Sequence, residues 1–207
     1  MIIQGSDEWF AQRLGKVTAS KVADVMAKTK TGYSASRTNY MMQLLCERLT
    51  GKREESFSSA AMQRGTDLEP SARAVYEANA GEFVTECGMI EHPSIAGFGA
   101  SPDGLVGADG LLEIKCPNTA THVEFIRTGK PKNEYQWQML AQMACSGRAW
   151  CDFVSYDDRL PHALQYHCIR FHRDDKRIEE METEIVIFLS ELEKTVEEMN
   201  QKIKELS

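Results

Sequence analysis

Apolar positions run at helical spacing through the first eighty residues, alternate across the middle, and return to helical spacing at the end. Ser6 caps a predicted helix from Asp7 to Leu14, closed by Gly15. A second helix begins at Thr18 or Ser20 and runs to about Lys28, and residues 29–35, with Gly32, form a loop. Residues 36–50 read as an amphipathic helix stopped by Gly51. Ser58 to Ala80 is helical with a break at Gly65. There Thr66-x-x-Glu69 makes a capping box that restarts the helix, with Pro70 in its first turn. Strands are predicted at 83–91, 97–106 and 111–116, helices at 118–128 and 134–146, and strands again at 149–156 and 164–172. This order predicts an α/β (α+β) fold with a mixed central sheet and helices on both faces. The length suits one domain over residues 1–207, with a helical part at 1–80, a sheet core at 81–173 and a C-terminal helix at 174–207.

The last helix carries Ile185, Leu189, Leu192, Val196, Met199, Ile203 and Leu206 at alternating steps of four and three. That stripe predicts a helix docked on the body, with a subunit contact as the sharper alternative.

One hairpin in the sheet region concentrates the chemistry. Ser101-Pro102-Asp103-Gly104 leads into Leu105-Val106, and Gly107-Ala108-Asp109-Gly110 is turn material. Leu111 to Cys116 then makes a strand that Pro117 ends. Glu113 and Lys115 are two apart and share a face, while Leu112 and Ile114 point into the core. Asp103 joins that face only if the turn holds an odd number of residues or a bulge. Two carboxylates and an ammonium so placed suit a hard divalent cation and an activated water, the groups that phosphodiester hydrolysis requires. Asp103 and Glu113 are the expected metal ligands, with the backbone carbonyl of Ile114. All-oxygen donors select Mg²⁺, or Mn²⁺ in its place, over zinc. Two ions per site are expected, with Asp103 bridging them. Lys115 would orient or deprotonate the water, which needs a lowered pKa or a proton shared with the metal.

Composition narrows the class. No apolar run is long enough to span a bilayer and no signal-peptide pattern opens the chain, so a cytosolic protein is expected. The six cysteines show no C-x-x-C spacing, which argues against a zinc ribbon, a disulfide framework or an iron–sulfur cluster. His167 and His172 read as structural. The net charge of −7 is unusual for a protein that binds a polyanion, but it is unevenly spread. Residues 1–53 hold nine Lys/Arg against four acids, and residues 174–207 hold eleven acids against five bases. The basic part is expected to face a polyanion and the acidic tail to point away from it.

The sequence resembles the lambda exonuclease (YqaJ-type viral recombinase) family of PD-(D/E)xK nucleases. The matching stretches are Trp9-x-x-x-Arg13 through Ser20, Arg64-Gly-x-x-x-Glu69, Ala100-Ser-Pro-Asp-Gly-Leu105, Leu112-Glu-Ile-Lys-Cys-Pro117 and Tyr135 to Gln138. The resemblance implies a restriction-endonuclease-like core. It implies an Mg²⁺-dependent 5′-to-3′ exonuclease that acts on linear double-stranded DNA, releases 5′-mononucleotides and leaves a 3′ single strand. It assigns Glu69 to the metal or its waters, beside its capping-box role. It places Gln138 next to the site, with Gln136 as a competitor. Arg13, Ser20 and Ser101 match residues that hold the 5′-phosphate of the DNA end. Lys28 and Lys30 match a loop that touches the duplex, and Met62 falls where the family places an apolar wedge, or else in the core. A ring-shaped homotrimer, a single-strand annealing protein as partner, and a phage or prophage origin within a bacterial cytoplasm are also implied. Residue chemistry without the resemblance reaches a metal-dependent phosphodiesterase acting on nucleic acid. A non-catalytic DNA-end-binding assembly subunit and a structure-specific endonuclease are the rival readings.

Overall fold

The computed structural model describes residues 2–53 and 59–206. Its centre is a five-stranded mixed sheet of β4 (Val84–Thr85), β7 (Gly104–Val106), β8 (Gly110–Lys115), β9 (Trp150–Tyr156) and β10 (Tyr166–His172), in the order β10-β9-β8-β7-β4. β8 and β9 run parallel and the other pairs antiparallel. A second sheet joins β1 (Val17–Thr18), β6 (Phe98–Ala100) and β5 (Ile90–Glu91) in the order β1-β6-β5. A small hairpin pairs β2 (Lys28–Thr29) with β3 (Gly32–Tyr33). The helices are α1 (Asp7–Arg13), α2 (Val22–Met26), α3 (Ala35–Thr50), α4 (Ala60–Ala80), α5 (Thr119–Thr128), α6 (Asn133–Ser146) and α7 (Asp175–Leu206). The expected α/β class, with a mixed sheet between helices, is the class observed.

Helix ends follow the capping rules. Ser6, Ser59 and Asn118 accept backbone N–H bonds at the starts of α1, α4 and α5. Gly51, Gly81, Gly129 and Gly147 close α3, α4, α5 and α6 in the left-handed conformation.

The central strands are buried on both faces, so their apolar runs are nearly continuous. Leu111, Cys151 and Phe153 belong to the larger core with α2, α3, α6 and α7. Leu112, Ile114, Val154 and Tyr156 pack against Ala72 and Tyr76 of α4 in a smaller core.

Several boundaries differ from expectation. The second helix ends at Met26, and the predicted loop is the β2–β3 hairpin, whose threonines and Gly32 favour an extended turn. Gly65 does not break α4, and the capping box does not form. Thr66 Oγ1 instead bonds back to the Met62 carbonyl, and Pro70 lies inside a continuous helix. Packing of its second half on the sheet outweighs the proline cost. Ser58, the predicted helix start, lies outside the described residues. The single strand expected at 83–91 is two strands in two sheets, and so is that at 97–106. Pro102 has no N–H to donate, and the chain crosses between the sheets over Ser101–Asp103.

The acidic tail does not point away from the basic segment. α7 packs on α2 and α3, where Glu184, Glu191 and Glu193 pair with Lys28, Arg37 and Arg48. Its stripe docks as predicted through Ile185 and Leu192, joined by Ile178, Met181 and Phe188. The stripe becomes more exposed toward its end, where Ile203 is half exposed and Leu206 largely exposed. Among the described residues no helix is long and apolar enough to cross a membrane.

Candidate active site

β7 and β8 are joined by the three-residue turn Gly107–Asp109, an odd count, with Gly107 at φ +51°. Arg148 Nη1 donates to the carbonyls of Val106, Gly107 and Gly110 and ties the turn down. The register pairs Gly104 with Leu112, which sets Asp103 opposite Glu113 on one face. Asp103 N donates to the Leu112 carbonyl (3.1 Å), and Asp103 Oδ2 accepts from Ile114 N (2.7 Å). A side chain at Gly104 would meet Val84, which crosses it at 2.0 Å from an ideal Cβ, so the position behind Asp103 must be bare.

Glu113 is fully buried, although the alternation of the strand put it on an open face. That face is covered by α6. Gln138 Nε2 donates to Glu113 Oε1 (2.7 Å), Gln142 Nε2 donates to Glu113 Oε2 (2.5 Å), and Lys115 Nζ pairs with Oε1. Three donors thus offset the cost of a buried charge. Gln138 is the glutamine at the carboxylates. Gln136 instead bonds the Pro131 carbonyl and accepts from Arg177. Gln142 was not anticipated, yet it stands one helical turn from Gln138 in an otherwise apolar stretch, the spacing that would have revealed it.

Burial pushes the Asp103 carboxyl well above the usual range, and Glu113 and Glu69 push it further; Lys115 and the Ile114 N–H pull the other way. Glu69 is likewise raised by burial and by Glu113, against the pull of Arg73, whose guanidinium bonds Glu69 Oε1 at 3.2 Å. The three acids therefore feel one another. Burial lowers the Lys115 pKa, but Glu113 and Asp103 outweigh it and hold the ammonium above its ordinary value. The lowered pKa expected for a lysine base is not what these neighbours produce. Lys115 stands as a fixed cation between the carboxylates and the ring of Tyr135, 5.5 Å away.

Among the described residues no group of three or more His, Cys, Asp or Glu side chains converges as a ready-made metal cluster. What the site presents is smaller and all oxygen: the facing carboxylates of Asp103 and Glu113. Two facing carboxylates, one of them raised by burial and by its neighbour, fit a hard cation that would relieve that repulsion.

The other expected residues sort by place. Arg13 Nη1 donates to Ser101 Oγ (3.0 Å), as does Trp9 Nε1 (3.1 Å), so Arg13 meets the segment that carries Asp103. Arg13 also stacks on Trp9, 4.2 Å from the ring centroid. A cleft of about 210 Å³ holds Arg13, Ser20, Lys16, Lys21 and Arg53 together. Lys28 lies in the β2–β3 hairpin, engaged by Glu184, and Lys30 is exposed in its turn. Met62 is exposed in the first turn of α4 rather than in the core. His167 packs edge-on against Phe125, a structural place as expected.

The domain pattern of YqaJ-like viral recombinases matches residues 8–149. Two solved structures of LHK-Exo, described as an alkaline exonuclease from Laribacter hongkongensis and one of them in complex with dAMP, are 64% and 63% identical to the chain. Both superpose with a TM-score of 0.92 and cover 98% of this chain and 100% of their own. A phage-related exonuclease from Haemophilus somnus 129PT shares the fold at 15% identity, with a TM-score of 0.74 over 89% of this chain and 96% of that one. Among curated proteins none matches. The stretch from α1 to α6, with the Asp103–Glu113–Lys115 hairpin at its centre, places this chain in the YqaJ-like viral recombinase family, a family of nucleases.

Proposed function

We propose that the protein is an Mg²⁺-dependent exonuclease that digests one strand of linear double-stranded DNA from the 5′ end. It releases 5′-mononucleotides and leaves a 3′ single strand for recombination by annealing. The observation that carries this reading is the joining of two groups in one strip. Arg13 contacts Ser101, and two residues on, Asp103 faces Glu113 and Lys115. An arginine with hydroxyls beside it is a site for a terminal phosphate, and the carboxylates with the lysine are a site for the next phosphodiester. The identity to LHK-Exo supports exonuclease chemistry, and its complex with dAMP agrees with mononucleotide release.

The metal, when bound, polarises the scissile phosphate and lowers the pKa of a water. Asp103, Glu113 and the Ile114 carbonyl would hold it. Gln138 and Gln142 fix the Glu113 carboxylate, and Lys115 orients the attacking water and offsets charge on the phosphate. Glu69 acts on waters at the edge of the site. Arg13, Ser20 and Ser101 hold the 5′-phosphate, so each cut leaves a new end in register. Lys28 and Lys30 contact the duplex, and exposed Met62 separates the terminal base pairs. The family resemblance supports a ring-shaped homotrimer threaded by DNA, a single-strand annealing partner, and action in the cytoplasm of a bacterial host of a phage or prophage.

The test is digestion of linear duplexes with 5′-phosphate or 5′-hydroxyl ends against a closed circle, in Mg²⁺, by the wild type and Arg13→Ala. The wild type should favour the phosphorylated end and spare the circle. Arg13→Ala should lose most of that preference and digest fewer nucleotides per encounter. Equal wild-type rates on both ends contradict the phosphate anchor, and digestion from the 3′ end overturns the polarity.

A further inference from the structure

A cavity of about 250 Å³ opens on the far side of Lys115 from Arg13. Its walls are Phe125, Phe153, Tyr135, Pro117 and Pro131, and Lys115 and Ser155 form its floor. Lys130 and Lys132 are exposed on its rim, and the rim's Glu124 is engaged by Arg127 at 3.0 and 3.1 Å. None of the roles assigned above uses this space.

Sheet order fixes where it lies along a bound strand. Ser101 and Asp103 precede β7, Glu113 and Lys115 stand on β8, and Phe153 and Ser155 stand on β9, next to Glu113 and Lys115 in register. The sequence across the face is therefore Arg13 with Ser101, Asp103, Glu113 with Lys115, then the cavity. A strand entering by its 5′ end presents its groups in the same order: terminal phosphate, first nucleoside, scissile phosphate, second nucleoside. With the terminal phosphate at Arg13 and the scissile phosphate at Lys115, the second nucleoside arrives at the cavity.

Resting on the exonuclease reading, we propose that this cavity receives the base of the second nucleotide of the digested strand, on the 3′ side of the scissile bond. Its chemistry suits that occupant. The partly exposed Tyr135 and Pro117, backed by buried Phe125 and Phe153, accept any base without reading its edges, as a non-specific nuclease requires. The basic rim follows the backbone of the strand. The volume lies just below the usual span of ligand pockets, about 300–1,000 Å³, and so admits one base with part of its sugar rather than two. Because Lys115 is shared between the floor and the carboxylates, seating the base there aligns the scissile phosphate with Glu113 and Asp103. After each cut the seated nucleotide moves one step toward Arg13 and the next base takes its place.

The experiment is single-turnover release of the first mononucleotide from 5′-phosphorylated duplexes in Mg²⁺. The substrates are intact, abasic at the second nucleotide of the digested strand, or abasic at the opposite position. Wild type should release it about tenfold more slowly when the second base is missing, the scale of one lost base stack. The opposite-strand lesion should have little effect. Ala120→Phe, at an exposed position on the cavity wall, should fill the space and make release slow and equal on the intact and abasic strands. Ala120→Ser should behave as wild type, and a retained preference of Ala120→Phe for 5′-phosphate shows that its fold and anchor survive. Wild-type indifference to the missing second base overturns the proposal. So does an effect confined to the opposite strand, or an Ala120→Phe variant that still discriminates. No release from the intact duplex by wild type overturns the nuclease reading and this proposal with it.

Discussion

At the residue scale, the site rests on a carboxylate held by donors from two elements. Asp103 and Glu113 are the facing carboxylates, and Lys115 pairs with Glu113 beside the ring of Tyr135. Their losses should differ in kind. Asp103→Ala or Glu113→Ala should abolish Mg²⁺-dependent cleavage while circular dichroism shows the fold retained. Near-normal turnover by either would remove this site from the mechanism. Lys115→Ala should still bind DNA and metal but lose ~10²–10⁴-fold or more in single-turnover rate. A variant that failed at DNA binding with unchanged chemistry would make Lys115 a phosphate contact. Gln142 allows a finer test. It holds Glu113 Oε2 from a fully buried position. Gln142→Leu leaves that oxygen without its donor, at a cost of about 1.5–3 kcal/mol for a hydrogen bond to a charged group. Denaturant midpoints should fall accordingly, and the Mg²⁺ concentration for half-maximal rate should shift. A stability loss with an unchanged Mg²⁺ dependence would leave Gln142 a packing residue only. The sequence made Asp103, Glu113 and Lys115 legible because their spacing and the turn agree. It hid the partner of Gln142 and the burial of Glu113, because both depend on α6 crossing the strand.

At the scale of elements, most helices and the β8–β10 strands were legible from period and caps, since Gly51, Gly129 and Gly147 mark chain reversals locally. The misreadings share a cause. The segments 83–91 and 97–106 mix apolar with polar residues, each serves two sheets, and only tertiary pairing decides where it crosses. α4 runs through Gly65 and Pro70 because packing on the sheet outweighs local propensity. Its N-terminal part is held from outside. Arg64 reaches Asp157, just beyond β9, and Asp157 also accepts from Arg159 and from Thr119 Oγ1. Burial would raise the Asp157 pKa, but the bonds from Arg159 and Thr119 outweigh it and hold it below the usual range. The unfolded chain protonates an aspartate near about pH 3.9. Above that value the native interaction contributes in full. As the pH falls below it, the unfolded state takes up the proton first and stability is lost. Asp157→Asn should therefore cost about 2 kcal/mol at about pH 7. The difference should shrink below about pH 4, in urea titrations run at both ends. A gap that stayed constant with pH would show that the charge of Asp157 is not what holds α4.

At the scale of the whole molecule, the puzzle is a chain of net charge −7 in a family that handles DNA. Charge counted along the sequence suggested a basic half and an acidic tail kept apart. The fold instead lays α7 on the basic half, because its apolar stripe must be covered and the nearby cations stabilise its acids. The basic residues left around Arg13 in the cleft then form a smaller positive surface than the count implied. Lys28 sits at the boundary. Its ammonium pairs with Glu184, which also accepts from Tyr33 Oη at 2.8 Å, and this pairing raises the Lys28 pKa. Lys28 is half exposed, so the pair contributes little to stability and a phosphate can replace the carboxylate. Glu184→Gln keeps an acceptor for Tyr33 and removes only the competing charge. If Lys28 meets the duplex, the variant should bind DNA more tightly at low salt with its melting temperature nearly unchanged. A Lys28→Ala variant should shift the plot of log affinity against log salt by about one phosphate contact. In the Lys28→Ala background, Glu184→Gln should gain nothing through Lys28. Equal gains in both backgrounds would mean that Glu184 acts on the DNA as a distant charge, and that the β2–β3 hairpin does not touch the duplex through Lys28.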